Sequence, residues 1–144
     1  MIILLTGLAA GLLDGIAAVL LFLARGNKNP ALLFRYIASA VYGKAAFGEG
    51  ALMVVAGIVL HFMIAGTFVA VYFGLCHFLP WLRSYPLAGA FGYGLLVWVI
   101  MNLGVVPLSR AAPRPFSLFF AVVNMLILVA TIGLPAGYMA MILQ

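Results

Sequence analysis

The chain has 144 residues, 68% of them hydrophobic and only 6% charged, with a formal net charge of +5 at pH 7. Soluble domains are about half apolar and about a quarter charged, so this composition excludes a water-solvated globule and makes lipid the expected solvent of one domain spanning residues 1–144. Seven basic residues scattered through such a chain are not a nucleic-acid footprint, and their natural partners are anionic lipid headgroups.

Four apolar runs, Ile2–Ala24, Ala51–Leu79, Leu87–Pro107 and Phe116–Leu143, stand out in chain order. Each meets the roughly 20 residues that an α-helix needs to cross about 30 Å of hydrocarbon. The expected fold is therefore all-α, a polytopic membrane protein of four transmembrane helices. The second and fourth runs exceed that length and should tilt or extend into the interface.

The first run does not read as a signal peptide. It lacks a basic leading region, is too long, and runs into Arg25-Gly-Asn-Lys28 with no small-residue cleavage site before it. Three glycines, Gly7, Gly11 and Gly15, recur every fourth residue along it. This is the glycine-zipper spacing that lets helix backbones approach closely. Asp14 lies beside Gly15. A charged aspartate at mid-bilayer costs about 3 kcal/mol on insertion scales, so such residues usually face the bundle and carry a role.

The first connection is about 26 residues long, more than a simple link between helices requires. Asn29-Pro30 is a helix start, a capping side chain followed by proline at the first helical position. From there to Tyr42 the pattern is amphipathic, with Leu33, Phe34, Ile37, Ala40 and Val41 on one face and Arg35, Ser39 and Tyr42 opposite. A short helix over about 30–42 is expected, lying in the membrane interface or folding back under the bundle. The pair Gly43-Lys44 is not a phosphate loop, since the rest of that motif is missing. Glu49 is expected at the interfacial mouth of the second span.

Within the second span, His61 stands four residues from both Gly57 and Ala65, and Gly66, Ala70 and Gly74 continue the small-residue pattern. Asp14 precedes the end of its helix by about ten residues and His61 follows the start of its own by about ten, so both lie near 15 Å from the same boundary. Antiparallel neighbours would bring them within reach. Lys44 is an alternative partner for Asp14 should the amphipathic segment re-enter the membrane. Asn102 in the third span and Asn124 in the fourth lie about 8–10 Å from that boundary. Each span thus offers one strongly polar side chain to the same half of the bundle. The expectation is a single polar cluster of Asp14, His61, Asn102 and Asn124, acting either as a proton- or solute-handling site, as a ligand pocket, or as hydrogen-bonded glue that fixes helix register.

The other chemistry-bearing residues do not assemble into a site. Cys76 is the one cysteine, so neither a disulfide nor a thiolate metal site is expected. Neighbouring helical residues point about 100° apart, so Cys76 and His77 are not a nucleophile–base pair. His61 and His77 are separated by about 24 Å along the helix and cannot share a metal or haem. No catalytic residue, metal or cofactor is expected. His77, Trp81 and Tyr85 read as an interfacial anchor belt.

The third connection, from Pro107 to Pro115, is proline-stiffened and carries Arg110 and Arg114. In the fourth span Gly133 and Gly137 repeat the small-residue spacing and Pro135 should kink the helix. Arg25, Lys28, Arg35, Lys44, Arg110 and Arg114 all fall on the first and third connections, against Arg83 on the other side. This bias places those connections in the cytoplasm and both termini outside. Compact loops favour a bacterial inner membrane. Arg35, Lys44, Arg110 and Arg114 are the expected lipid-headgroup contacts. Gly7, Gly11, Gly15, Gly57, Gly66, Gly74, Gly133 and Gly137 are the expected packing positions, any surplus serving a homo-oligomer.

Several short motifs in fixed order carry a resemblance. They are Ala10-Gly11-Leu-Leu-Asp14-Gly, Tyr36-Ile-Ala-Ser39, Gly43-Lys-Ala-Ala-Phe47, His61-Phe-Met-Ile-Ala65, Met101-Asn102 through Val106-Pro-Leu-Ser109, and Gly133-Leu-Pro135. The set resembles a widespread family of uncharacterised bacterial four-helix inner-membrane proteins, and the likeness spans nearly the whole chain. It implies the fold and the importance of Asp14, His61 and Asn102, and no activity. Small multidrug transporters also have four helices and an early acid, but their loops are short and their charge bias weak. Three functional classes follow: a channel- or transporter-like bundle handling protons or a small solute, a non-catalytic subunit of a larger membrane complex, or a lipid- or quinone-related enzyme. The last lacks any visible nucleophile, metal or nucleotide motif.

Overall fold

The computed structural model of the chain describes residues 1–48 and 50–143; the expected interfacial position of Glu49 lies outside them. All regular structure among these residues is helical. Four helices are long and apolar enough to cross a membrane: α1 (Ile2–Ala24), α3 (Leu52–Phe78), α5 (Pro86–Leu108) and α6 (Leu118–Ile142). They match the four apolar runs to within two residues at every end. Two shorter helices join them, α2 (Ala31–Tyr42) and α4 (Trp81–Ser84).

The spans form two antiparallel pairs, α1 with α3 and α5 with α6, and α6 also touches α1 and α3. The shared core is thin, with Ala10, Val69, Tyr72, Val97, Ile132 and Ala136 at its centre. Only 17–22% of each span's apolar window is buried inside the chain. Side chains such as Leu20, Met63 and Leu103, each over 60% exposed, cover the outside. An apolar exterior over an apolar interior is the arrangement that hydrocarbon surroundings require.

Glycine sets how closely the helices approach. A Cβ on Gly7 would stand 3.1 Å from the Cα of Gly66, and one on Gly11 would stand 2.8 Å from the Phe62 ring. A Cβ on Gly57 would collide with the carbonyl of Phe34, so this glycine seats α2 rather than another span. A Cβ on Gly133 would collide with the Ala90 carbonyl, and one on Gly137 would lie 3.0 Å from that of Pro86. The stripe on α5 formed by Gly89 and Gly94 was not among the expected packing positions, yet Gly94 faces the Val129 Cα at 2.6 Å from a would-be Cβ. Gly66 and Gly74 are different: a Cβ on either would meet nothing within 4 Å.

Helix α2 begins where the cap-then-proline pattern puts it, with Asn29 Oδ1 accepting from the Ala31 N–H at 3.0 Å. It ends at Gly43, whose φ of 59° lies in the left-handed region that favours glycine. Its buried face follows the periodicity only in part: Phe34, Ile37 and Ala40 are half-buried. Leu33, Ala38 and Ser39 are buried, whereas Val41 is 50% exposed. The reason is that α2 folds back along α3, and small side chains permit the closer contact. Ser39 tolerates burial because its hydroxyl donates to the Tyr36 carbonyl at 2.6 Å.

The first and third connections meet at one end of the bundle. Arg110 N–H donates to the Ala40 carbonyl at 3.1 Å, and Tyr36 Oη donates to the Ala112 carbonyl at 3.0 Å. Both proline-bearing spans widen into π-helical turns just before the proline, over Ile100–Val105 ahead of Pro107 and over Val129–Gly133 ahead of Pro135. Proline lacks an N–H and crowds the preceding turn, and a π turn absorbs both defects.

These contacts rank the glycines. Gly94→Ala should destabilise the bundle by about 1–3 kcal/mol, since backbone must move to admit the methyl group. Gly74→Ala should be neutral or mildly stabilising. Thermal unfolding of the two variants in the same detergent separates them, and equal melting temperatures would contradict this packing.

Candidate functional site

Asp14 and His61 meet, as their matched depths lead one to expect. Asp14 is on α1 and His61 on α3, and Asp14 Oδ2 lies 4.0 Å from His61 Nε2, with side-chain exposures of 14% and 10%. The contact is electrostatic rather than a hydrogen bond, because His61 Nε2 is committed to the Gly11 carbonyl at 2.8 Å. A carbonyl only accepts, so Nε2 carries a hydrogen. The absence of a side chain at Gly15 gives the imidazole access to that carbonyl, since a Cβ there would sit 3.2 Å from Nε2. The zipper glycines of α1 therefore bring the helices together and also expose backbone to a histidine.

A third group completes the cluster. Thr131, on the π turn of α6, donates its hydroxyl to Asp14 Oδ1 at 2.9 Å and also lies 2.8 Å from the Ile127 carbonyl. Sequence reasoning missed it. A threonine in an apolar helix commonly bonds the carbonyl four residues back, which hides its polarity, and its spacing before Pro135 was the one available signal. Three spans thus converge on one carboxylate. Asp14 and His61 border a cleft of about 90 Å³, otherwise lined by apolar side chains including Phe68, Met101 and Ile132. By volume this is room for about three waters.

Asn102 and Asn124 are not part of this cluster. Both line a larger, partly open cleft of about 570 Å³ at the end of the bundle where the first and third connections meet. Asn102 donates to the Trp98 carbonyl of its own helix at 2.9 Å. Asn102 is turned about 100° from Met101, which lines the cleft of Asp14. Asn124 shares a helix face with Leu128 and lies about 6 Å nearer the connections. Rotation separates the first asparagine from Asp14, and depth the second.

The expected headgroup contacts also divide. The Arg35 guanidinium donates to the carbonyls of Gly48 and Gly50, the latter at 2.7 Å, and so ties α2 to the chain leading into α3. Lys44 is exposed and makes no ion pair with Asp14. Arg110 is exposed, with its backbone fixed to Ala40. Arg114 stacks 3.4 Å from the centre of the Tyr36 ring and borders the larger cleft. Partial burial lowers the pKa of Arg114 from its ordinary value, while Tyr36 opposes the shift and nearby Arg25 adds to it; an arginine remains cationic regardless. Among the described residues no group of three or more histidine, cysteine or acidic side chains could hold a metal ion. Comparison with protein-family models, with curated proteins and with solved structures gives no match.

The hydroxyl contact is measurable by itself. Thr131→Val should cost about 0.6–1.7 kcal/mol, the range for hydrogen bonds between membrane helices. A double-mutant cycle with Asp14→Ala should return a coupling of that size. A coupling of zero would mean the hydroxyl serves only the Ile127 carbonyl.

Proposed function

We propose that the chain is a small bacterial inner-membrane protein of the uncharacterised four-helix family it resembles, working as a transporter-like bundle in which Asp14 and His61 exchange a proton within the membrane. The observation that carries this reading is the 4.0 Å approach of an acid and an imidazole from two different spans, beside a cleft large enough for water. An acid–imidazole pair placed in hydrocarbon is costly to keep for structure alone, and aspartate and histidine are the groups from which proton relays in membranes are built. Thr131 holds one carboxylate oxygen and Gly11 holds the imidazole, leaving Asp14 Oδ2 as the oxygen turned toward the ring.

The orientation that fits has the first and third connections in the cytoplasm, both termini outside, and α2 near the cytoplasmic interface. It is supported by six basic residues on those connections against Arg83 on the other side. Asp14→Asn, in protein reconstituted into liposomes with an internal pH dye, should reduce proton flux at least about tenfold while leaving the melting temperature within a few degrees. Equal flux from the variant and the unaltered protein would overturn the proposal.

A second reading, a subunit associating with copies of itself or with a larger membrane complex, is favoured by one specific observation. Gly66, Ala70 and Gly74 form a small-residue stripe on α3, and the space beyond both glycines is open. Such stripes mediate helix association in membranes. Light scattering of the detergent-solubilised protein should then show a mass above one chain, and Gly74→Leu should reduce it.

A further inference from the structure

Among the described residues, the larger cleft presents two arginines and no acid. Arg25, from the end of α1, and Arg114, from the third connection, both line it. Asp14, the one acid among the described residues, is engaged elsewhere by Thr131 and His61. Neither guanidinium needs a protein anion to stay in place. Arg25 lies 4.2 Å from the centre of the Phe120 ring, and Arg114 is held over Tyr36 with Phe22 6.0 Å away. Stacking engages the flat face of a guanidinium and leaves its in-plane N–H donors free, the geometry suited to a phosphate or carboxylate. Neither side chain has a hydrogen-bond partner among the described residues.

One further feature marks this as a built site rather than an incidental gap. The cleft is pre-shaped. The third connection that carries Arg114 is tied to α2 through Tyr36–Ala112 and Ala40–Arg110, and Pro113 and Pro115 stiffen it. Apolar side chains make up much of the remaining wall, among them Leu103, Val106 and Phe120, the ring on which Arg25 stacks.

We propose that this cleft binds the phosphate group of an anionic amphiphile, a phospholipid whose headgroup sits between Arg25 and Arg114 and whose chain follows the apolar wall. The acceptor oxygens of a phosphate match the edges of both guanidinium groups. Like-charged arginines sharing one cleft are relieved when an anion enters. The attached hydrocarbon distinguishes the ligand from a free anion, since a soluble phosphate leaves the apolar wall uncovered. The inference requires the chain to sit in lipid, and it is independent of proton exchange at Asp14.

Native mass spectrometry of the detergent-solubilised protein tests it, titrating dioleoyl phosphatidylglycerol, dioleoyl phosphatidylcholine and inorganic phosphate in parallel. The unaltered protein should retain one phosphatidylglycerol in preference to phosphatidylcholine. Arg25→Gln with Arg114→Gln should weaken that retention roughly tenfold or more, while Lys28→Gln, a basic residue that does not line the cleft, should leave it unchanged. Should the double variant not fold, Arg25→Gln alone removes one guanidinium and should weaken retention several-fold. Inorganic phosphate should neither bind measurably nor displace the lipid. Equal retention in the unaltered protein and the arginine variants would overturn the site. Displacement of the lipid by phosphate alone would overturn the amphiphile as its ligand.

Discussion

Hydrocarbon removes the force that normally holds helices together, because an apolar side chain gains nothing by leaving lipid for another apolar side chain. What remains is van der Waals contact at short range and hydrogen bonds between helices. The α1–α3 pair relies on both, along one line of α1. Gly7 allows contact with the Gly66 backbone, Gly11 admits Phe62 and supplies its carbonyl to His61, and Gly15 clears the way to that carbonyl. The axial spacing of four residues that makes a packing surface also makes a polar groove. Asp14 sits one residue off this line, so its carboxylate reaches past the α1–α3 seam toward α6. The placement of the acid is therefore a consequence of the packing.

The second pair depends on proline. Pro107 and Pro135 each follow a π turn, and each π turn carries a polar residue, Asn102 in one and Thr131 in the other. A π turn rotates the residues beyond it relative to an unbroken α-helix, so side chains before and after it point in directions that a 100° step would not give. Thr131 faces Asp14 from inside such a turn, and its hydroxyl bonds back to the Ile127 carbonyl where the helix is locally widened. The same irregularity that removes regular backbone pairing supplies a side chain to the carboxylate. Single π turns inside α-helices are frequently found at functional sites.

These particulars explain what could be read in advance. The four spans were legible because hydropathy and length alone decide them. Asp14 and His61 were legible as a pair because antiparallel neighbours convert sequence distance from a shared boundary into equal depth. Asn102 and Asn124 read as about 8–10 Å deep against about 15 Å for Asp14, and they line another cleft. Asn102 is turned away from Met101 about its helix axis, and Asn124 is on the face of Leu128 but nearer the connections. Arg35 shows a similar limit. Its charge suggested a lipid contact, but a long side chain can turn toward backbone, and it does so at Gly48 and Gly50. Gly57 carried the right spacing for a helix contact and makes one, with α2 rather than with a second span.

The two clefts share a wall. On α5, Val97 and Met101 face the small cleft beside Asp14, whereas Trp98 and Asn102 face the cationic one. On α6, Leu128 and Ile132 line the first and Asn124 the second. On α5, residues one apart point about 100° apart, so rotation separates the two spaces there. On α6, Asn124 and Leu128 share a face and the spaces follow one another along the axis. Met101 and Asn102 belong to the π turn of α5, the least regular part of this wall. The carboxylate of Asp14 and the guanidinium groups of Arg25 and Arg114 thus stand in different clefts that have α5 and α6 in common.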